Sequence, residues 1–143
     1  MRNIKTRSAC PISSALDVFG DKWSLLIIRD LIFQGKHTYG DFLASDEQIA
    51  TNILAERLAT LEHIGIIEKK EHPDSKAKYF YTLTEKGWDL MPVLLEIIVW
   101  SDKYGEFSED VKTLARAVKK DRKGLIKHVT MLSRKTLRLQ SFQ

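Results

Sequence analysis

Asn52 and Glu56 stand four residues apart in a stretch with helical apolar spacing, so a helix would present them side by side. A carboxamide can pair bidentately with adenine, and a carboxylate can accept from the amino group of cytosine. Thr51 and Ala55 share that face, with Ala59 and His63 further along. Small side chains among polar ones let a helix backbone approach a groove floor. An ordinary amphipathic surface helix would show the same period. The residues downstream counter that plainer reading: a glycine stop at Gly65, then two short segments rich in β-branched and aromatic residues, 66–72 and 76–83. Pro73, Asp74 and Ser75 supply turn chemistry between them. Helix, stop and hairpin in that order outline a recognition helix at about 51–64 and a β-wing over 66–83. The common use of such a unit is to lay the helix in the major groove of DNA.

The wing carries Lys69, Lys70, Lys76 and Lys78, which can neutralise phosphates. Lysines on a hairpin also protect an exposed edge, and both roles can hold. His37, Thr38 and Tyr39 open a short helical segment where main-chain N–H groups and a hydroxyl suit a phosphate. Tyr39 equally suits core packing.

Cys10 is the one cysteine, just before Pro11 and a helical pattern. A thiol at a helix N-terminus feels the positive end of the dipole, which favours the reactive thiolate. Arg7 and Lys5 stand near it in sequence. A small buried core thiol is the plainer reading. No intramolecular disulfide can form, so oxidation would link Cys10 to another subunit or to a small thiol.

Other chemistry finds little support. His37, His63, His72 and His128 are scattered and read as surface or capping residues. Asp17, Asp21 and Asp30 fall among caps and turns. No Cys/His cluster has zinc-ligand spacing. No Ser/His/Asp arrangement, phosphate loop or carboxylate pair suggests an enzyme. No metal or cofactor is expected.

These residues need elements to hold them. Pro11 suits the first position of a helix whose stripe is Ile12, Ala15, Leu16 and Phe19, ended by Gly20. Asp21 caps a second helix over 22–33, apolar nearly all round and so central, closed by Gly35. Thr38 caps a third helix over 39–44. Leu54, Leu58 and Leu61 form the inward stripe of the fourth. From Thr84 one long helix is expected over 85–104, kinked by Pro92. Leu90, Met91, Leu94, Leu95, Ile98, Val99 and Trp100 cover more than one of its faces, which calls for a partner subunit. Beyond it, Val111, Leu114 and Val118 mark one helix. Leu125, Val129, Leu132, Thr136 and Leu139, at steps of four and three, mark a coiled-coil seam, with Gly124 between the two.

The expected fold is mainly α with a small β-hairpin wing: a winged helix-turn-helix domain over 1–103, and a basic helical extension over 104–143 for dimerisation. A chain of 143 residues, 43% hydrophobic and 29% charged, suits such a globular protein. It has no apolar run of membrane-span length and no signal-peptide core, so a cytoplasmic location without membrane contact is the default. Charge is uneven. Through Asp110 there are 13 Lys/Arg against 18 Asp/Glu, and from Val111 on 10 against 1. The basic tail suits a polyanion or simply a solvated helical surface.

The segments CPISSALDVFGDKWSLLIIRDLIFQGKHTYGDF, IATNILAERLATLEHIGII and YTLTEKGWDLMPVLLEIIVW resemble the HxlR-type family of bacterial winged-helix transcription regulators, collinearly over about residues 8 to 101. The most specific pieces are Cys10-Pro11-Ile12, Lys22-Trp23, Leu61-Glu62 before Gly65, and Leu83-Thr84 through Pro92. The resemblance implies a homodimeric DNA-binding repressor or activator, with dimer contacts from the N-terminal helix and the helices after the wing. It implies that Cys10 matches a cysteine that senses oxidants or electrophiles in some members. Thr38 stands where the family usually has arginine, and Ala50 where it usually has serine. The tail after Ser101 is longer and more basic than usual, and is expected to extend the dimer interface and to touch flanking DNA.

The leading expectation is thus a homodimeric regulator binding an inverted-repeat duplex. A protein-interaction module on the same scaffold is a second reading, supported by the acidic balance before Val111. A regulator that binds a small molecule in a dimer-interface cavity near Trp23, Trp88 or Trp100 is a third.

Overall fold

The computed structural model describes residues 7–72 and 74–141, without the side chains of 76, 77 and 137–141. Lys5, Pro73 and the side chains of Lys76 and Leu139 therefore lie outside the described residues. Its elements are α1 (Pro11–Phe19), α2 (Ser24–Phe33), α3 (Tyr39–Leu43), α4 (Thr51–His63), β1 (Ile67–His72), β2 (Ser75–Leu83), α5 (Glu85–Trp88), α6 (Met91–Tyr104), α7 (Glu109–Lys120) and α8 (Arg122–Ser141). They form two compact units that divide between Gly87 and Trp88. The boundary expected from the sequence, after residue 103, would cut the last turn of α6, which packs with α7 in the second unit.

In the first unit α2 is the hub. Ile27, Ile28, Leu31 and Ile32 are buried with Phe42 of α3 and Leu54, Leu58 and Leu61 of α4. Asp21 caps α2 from two residues before its N-cap position, Trp23. The Asp21 carboxylate accepts from the N–H groups of Trp23 and Ser24 and from the Ser24 hydroxyl. Partial burial alone would raise its pKa, but these bonds hold it below the ordinary value. Asp30 is not a turn residue but a buried charge inside α2. It accepts from Arg29 and from the Ser45 hydroxyl, and Lys36 lies 4.0 Å away. A buried carboxylate needs such partners to satisfy its acceptor oxygens.

α4 ends in a complete Schellman motif. Gly65 takes φ +79°, its N–H reaches Glu62 O, and Ile66 N–H reaches Leu61 O. The chain then enters β1, antiparallel to β2, with Ile67 opposite Leu83 and Lys69 opposite Tyr81.

The long helix expected over 85–104 is two helices. α5 stops at Trp88 and α6 starts at Met91, with Pro92 in its first turn. In a continuous helix the proline ring would meet the carbonyl four residues back, that of Trp88. In the second unit Met91, Leu94, Leu95, Ala115 and Val118 are buried, whereas Ile97, Trp100, Tyr104 and Phe107 remain exposed. The break between α7 and α8 falls at Asp121 rather than Gly124. Gly124 lies in the first turn of α8, where its N–H donates to Asp121 Oδ1 at 3.0 Å. A Cβ there would sit 2.1 Å from the other carboxylate oxygen, so any larger residue would push the cap aside.

Candidate nucleic-acid interface

The leucine stripe of α4 fixes which face looks outward. With Leu54, Leu58 and Leu61 buried, Thr51, Asn52, Ala55, Glu56 and Ala59 are all exposed. Two tethers set the pitch of the helix. Arg57 Nε lies 3.3 Å from Asp21 Oδ2, tying mid-helix to the turn before α2. The Tyr39 hydroxyl donates to Thr51 O at 2.7 Å, tying the first turn to α3. The N-cap position itself is bare, since Ala50 offers no side-chain acceptor. Glu56 keeps an exposed carboxylate, 3.9 Å from Arg57.

A groove separates α4 from the wing. It is lined by Ala55, Ala59, Glu62 and His63 on one side and by Lys69 and Tyr81 on the other, with Tyr39 at its end. A neighbouring cleft shares Tyr39 and Tyr81 and brings Thr38 together with Lys78 and Tyr79. The expected residues therefore fall into two groups, Ala55 with Lys69 and Thr38 with Lys78. Lys69 and Lys70 are not equivalent. Side chains alternate along a strand, so Lys69 lies on the groove face with its ammonium 3.8 Å above the Tyr79 ring. Lys70 lies on the other face, 3.8 Å from Glu68. Sequence reasoning passes over Tyr79 and Tyr81. Their two-residue spacing is the available signal, but only the register places them beside α4.

The helix start at Thr38 differs from expectation. Asp41 completes a capping box: its Oδ2 accepts from the N–H groups of His37 and Thr38, each at 3.1 Å, while Thr38 Oγ1 accepts from Asp41 N–H. The expected phosphate donors are thus already occupied by a carboxylate. Burial alone would raise the Asp41 pKa, but these bonds hold it below its ordinary value. Nor is Tyr39 a core residue, since it is only half-buried and spends its hydroxyl on α4. His37 is buried rather than a surface residue. Its ring stacks on Phe80 at 4.6 Å, and its Nδ1 lies 2.9 Å from Tyr81 O. A carbonyl can only accept, so Nδ1 carries the proton. Burial pushes this imidazole below its ordinary pKa, against the raising effects of the Tyr81 carbonyl and Asp41.

Cys10 is an exposed free thiol at the N-cap of α1, not a core residue. Arg7 is committed to Asp17 at 2.7 Å. Within one chain the cavity beside Trp23 has room for about one water at 10 Å³. Among the described residues no helix is long and apolar enough to cross a membrane.

A helix-turn-helix with an outward face, followed by a two-stranded wing, defines the winged helix-turn-helix class of DNA-binding proteins. The chain belongs to the HxlR-like helix-turn-helix family, whose model matches residues 18–109. It is 35% identical over 103 residues to the HTH-type transcriptional regulator YodB of Bacillus subtilis, covering 71% of this chain and 91% of that one. Among solved structures it is similar to quinone-bound YodB from B. subtilis, at 33% identity and a TM-score of 0.56, over 66% of this chain and 99% of that one. It is also similar to the redox regulator HypR in its oxidised form, at 28% identity and a TM-score of 0.60, over 68% and 100%. The chain is a helix-turn-helix transcription regulator with redox-responsive relatives.

Proposed function

We propose that the chain works in the cytoplasm as a homodimer on an inverted-repeat duplex, without enzymatic activity. Two copies of α4 occupy successive major grooves, about 34 Å apart. Asn52 and Glu56 read base edges, and Thr51 and Ala55 allow close approach. Lys69 and Lys78, with Lys70 and Lys76 further out on the wing, contact phosphates. Thr38 positions α3 through its capping box and is not itself a phosphate ligand. Residues 104–143 add to the dimer through the apolar side of α8. The observation that carries this reading is the exposed face of α4 over its buried leucine stripe. Selection of bound fragments from random duplex DNA tests it. The parent should enrich an inverted repeat, and Asn52→Ala should lose about 1–3 kcal/mol of discrimination at one base position per half-site. A variant that bound selected and random duplexes as the parent does would remove Asn52 from base readout.

A second layer rests on the exposed Cys10 thiol and on relatives described in quinone-bound and oxidised forms. We propose that an oxidant or quinone modifies Cys10 and changes operator affinity. Cys10→Ser should bind DNA as the reduced parent does and ignore both reagents. A response that survived in this variant would exclude the thiol.

A further inference from the structure

α8 has two unlike sides. Leu125, Val129, Leu132 and Thr136 succeed one another at steps of four and three. Thr136 donates its hydroxyl to Leu132 O at 3.0 Å, so its polar group is satisfied within the helix. Lys123, Lys127 and Arg134 are exposed. At about 100° per residue these three cations fall within roughly 40° of one another, about half a turn from the centre of the apolar seam. They span about 16 Å along the axis at ~1.5 Å per residue. No ion pair engages any of the three among the described residues, whereas Lys112 is paired with Glu109 and Arg122 with Glu96. Exposed Arg116, Lys119 and Lys120 of α7 add to the same unit. From Val111 to the end Asp121 is the one acidic residue, and it is occupied in capping α8.

Isolated surface lysines would be scattered and interleaved with carboxylates. Three cations in line opposite an apolar seam, with exposed Lys135 on their flank, are a different arrangement, because the seam can be covered while these three stay in solvent. The family match ends at residue 109, so α8 and all of α7 but its first residue lie beyond the matched region.

We infer that Lys123, Lys127 and Arg134 form a second, sequence-independent contact to the phosphate backbone of duplex DNA, separate from the base-reading face of α4. The inference rests on the proposed DNA-binding function and adds a non-specific anchor to it. Each phosphate neutralised releases condensed counterions, contributing about −0.9 to the slope of log affinity against log salt. Contacts to phosphates position a protein and carry no base information.

The test is the triple variant Lys123→Gln, Lys127→Gln, Arg134→Gln in the full chain. Its helix content is checked by circular dichroism. Binding to a selected operator duplex and to a random duplex of equal length is measured between about 50 and 300 mM KCl. The stripe predicts that the slope shrinks by about 2 to 3 units per protomer. Affinity should fall alike for both duplexes, leaving their ratio unchanged. The same slope change should appear in an Asn52→Ala background, which separates the stripe from base readout. A slope within half a unit of the parent's would overturn the inference while leaving the role of α4 intact. A parent that bound neither duplex would overturn both. Loss of binding to vesicles of one part phosphatidylglycerol to three of phosphatidylcholine, with duplex affinity and slope unchanged, would assign the stripe to membrane lipid and overturn it as well.

Discussion

Up to Gly87 the chain buries Ile27, Ile28, Leu31 and Ile32 of α2 together with the leucine stripe of α4, and leaves Ile12 and Leu16 of α1 exposed. From Trp88 on it leaves Ile97, Trp100 and Tyr104 of α6, with Phe107 and then Met131 and Leu132 of α8, open to solvent. The first unit fixes its helices with polar contacts at chosen points: Asp21 at α2, Asp41 at α3, Arg57 and Tyr39 at α4. The second carries a dense positive surface and, among the described residues, large apolar side chains open to solvent. A helix tied at several points to a buried core is held at a defined angle, which the proposed base reading requires. A unit with open apolar faces and long-range charge suits assembly and attraction, which tolerate looser geometry.

Truncating one apolar side chain in each unit puts that difference to its hardest test. Leu58→Ala, at 2% exposure, should cost about 2–5 kcal/mol in urea unfolding. Met131→Ala, at 57% exposure, should change the unfolding of a dilute sample by less than about 0.5 kcal/mol. Equal costs would mean that the second unit is as internally packed as the first.

The next effect concerns the anchors. Asp41→Ala removes the acceptor for two N–H groups at the start of α3 and should cost about 1–2 kcal/mol. It also empties the place a phosphate would take. Added sulfate should therefore raise the melting temperature of the variant more than that of the parent. Equal shifts would show that the corner stays closed to anions without its carboxylate.

A pH dependence should be weaker still. Burial keeps His37 neutral below its ordinary pKa of about 6.5. Just below that pH the unfolded chain binds a proton that the folded chain does not, so stability falls as pH drops, then levels once the folded group also titrates. His37→Asn keeps an N–H donor near Tyr81 O without titrating, and its melting temperature should vary less between about pH 7 and 5 than the parent's. An unchanged pH profile would locate the dependence elsewhere.

The features legible in the amino-acid pattern are those with short-range causes. Helix period, Pro11 at a helix start, the Thr38 cap and the Gly65 stop all act within a few residues, and each stands in the structure where its pattern places it. The leucine stripe of α4 needs only the period of 3.6 to show which side must be covered. The misplacements have causes just as definite. Pro92 reads as a kink because its clash with the Trp88 carbonyl does not by itself say whether the helix bends or restarts. Gly124 reads as a breaker, although its role is to let Asp121 approach.

Periodicity, capping and charge are properties of the chain, so they alone suffice for the order of elements up to Thr84, the outward face of α4 and the split between an acidic body and a basic tail. Three-dimensional packing was needed to bury His37 and Asp30, to close the corner at Thr38 with Asp41, and to set Lys69 rather than Lys70 beside the groove. Each of these depends on which distant segment comes to lie against the residue, and strand register and helix packing set that, not local spacing.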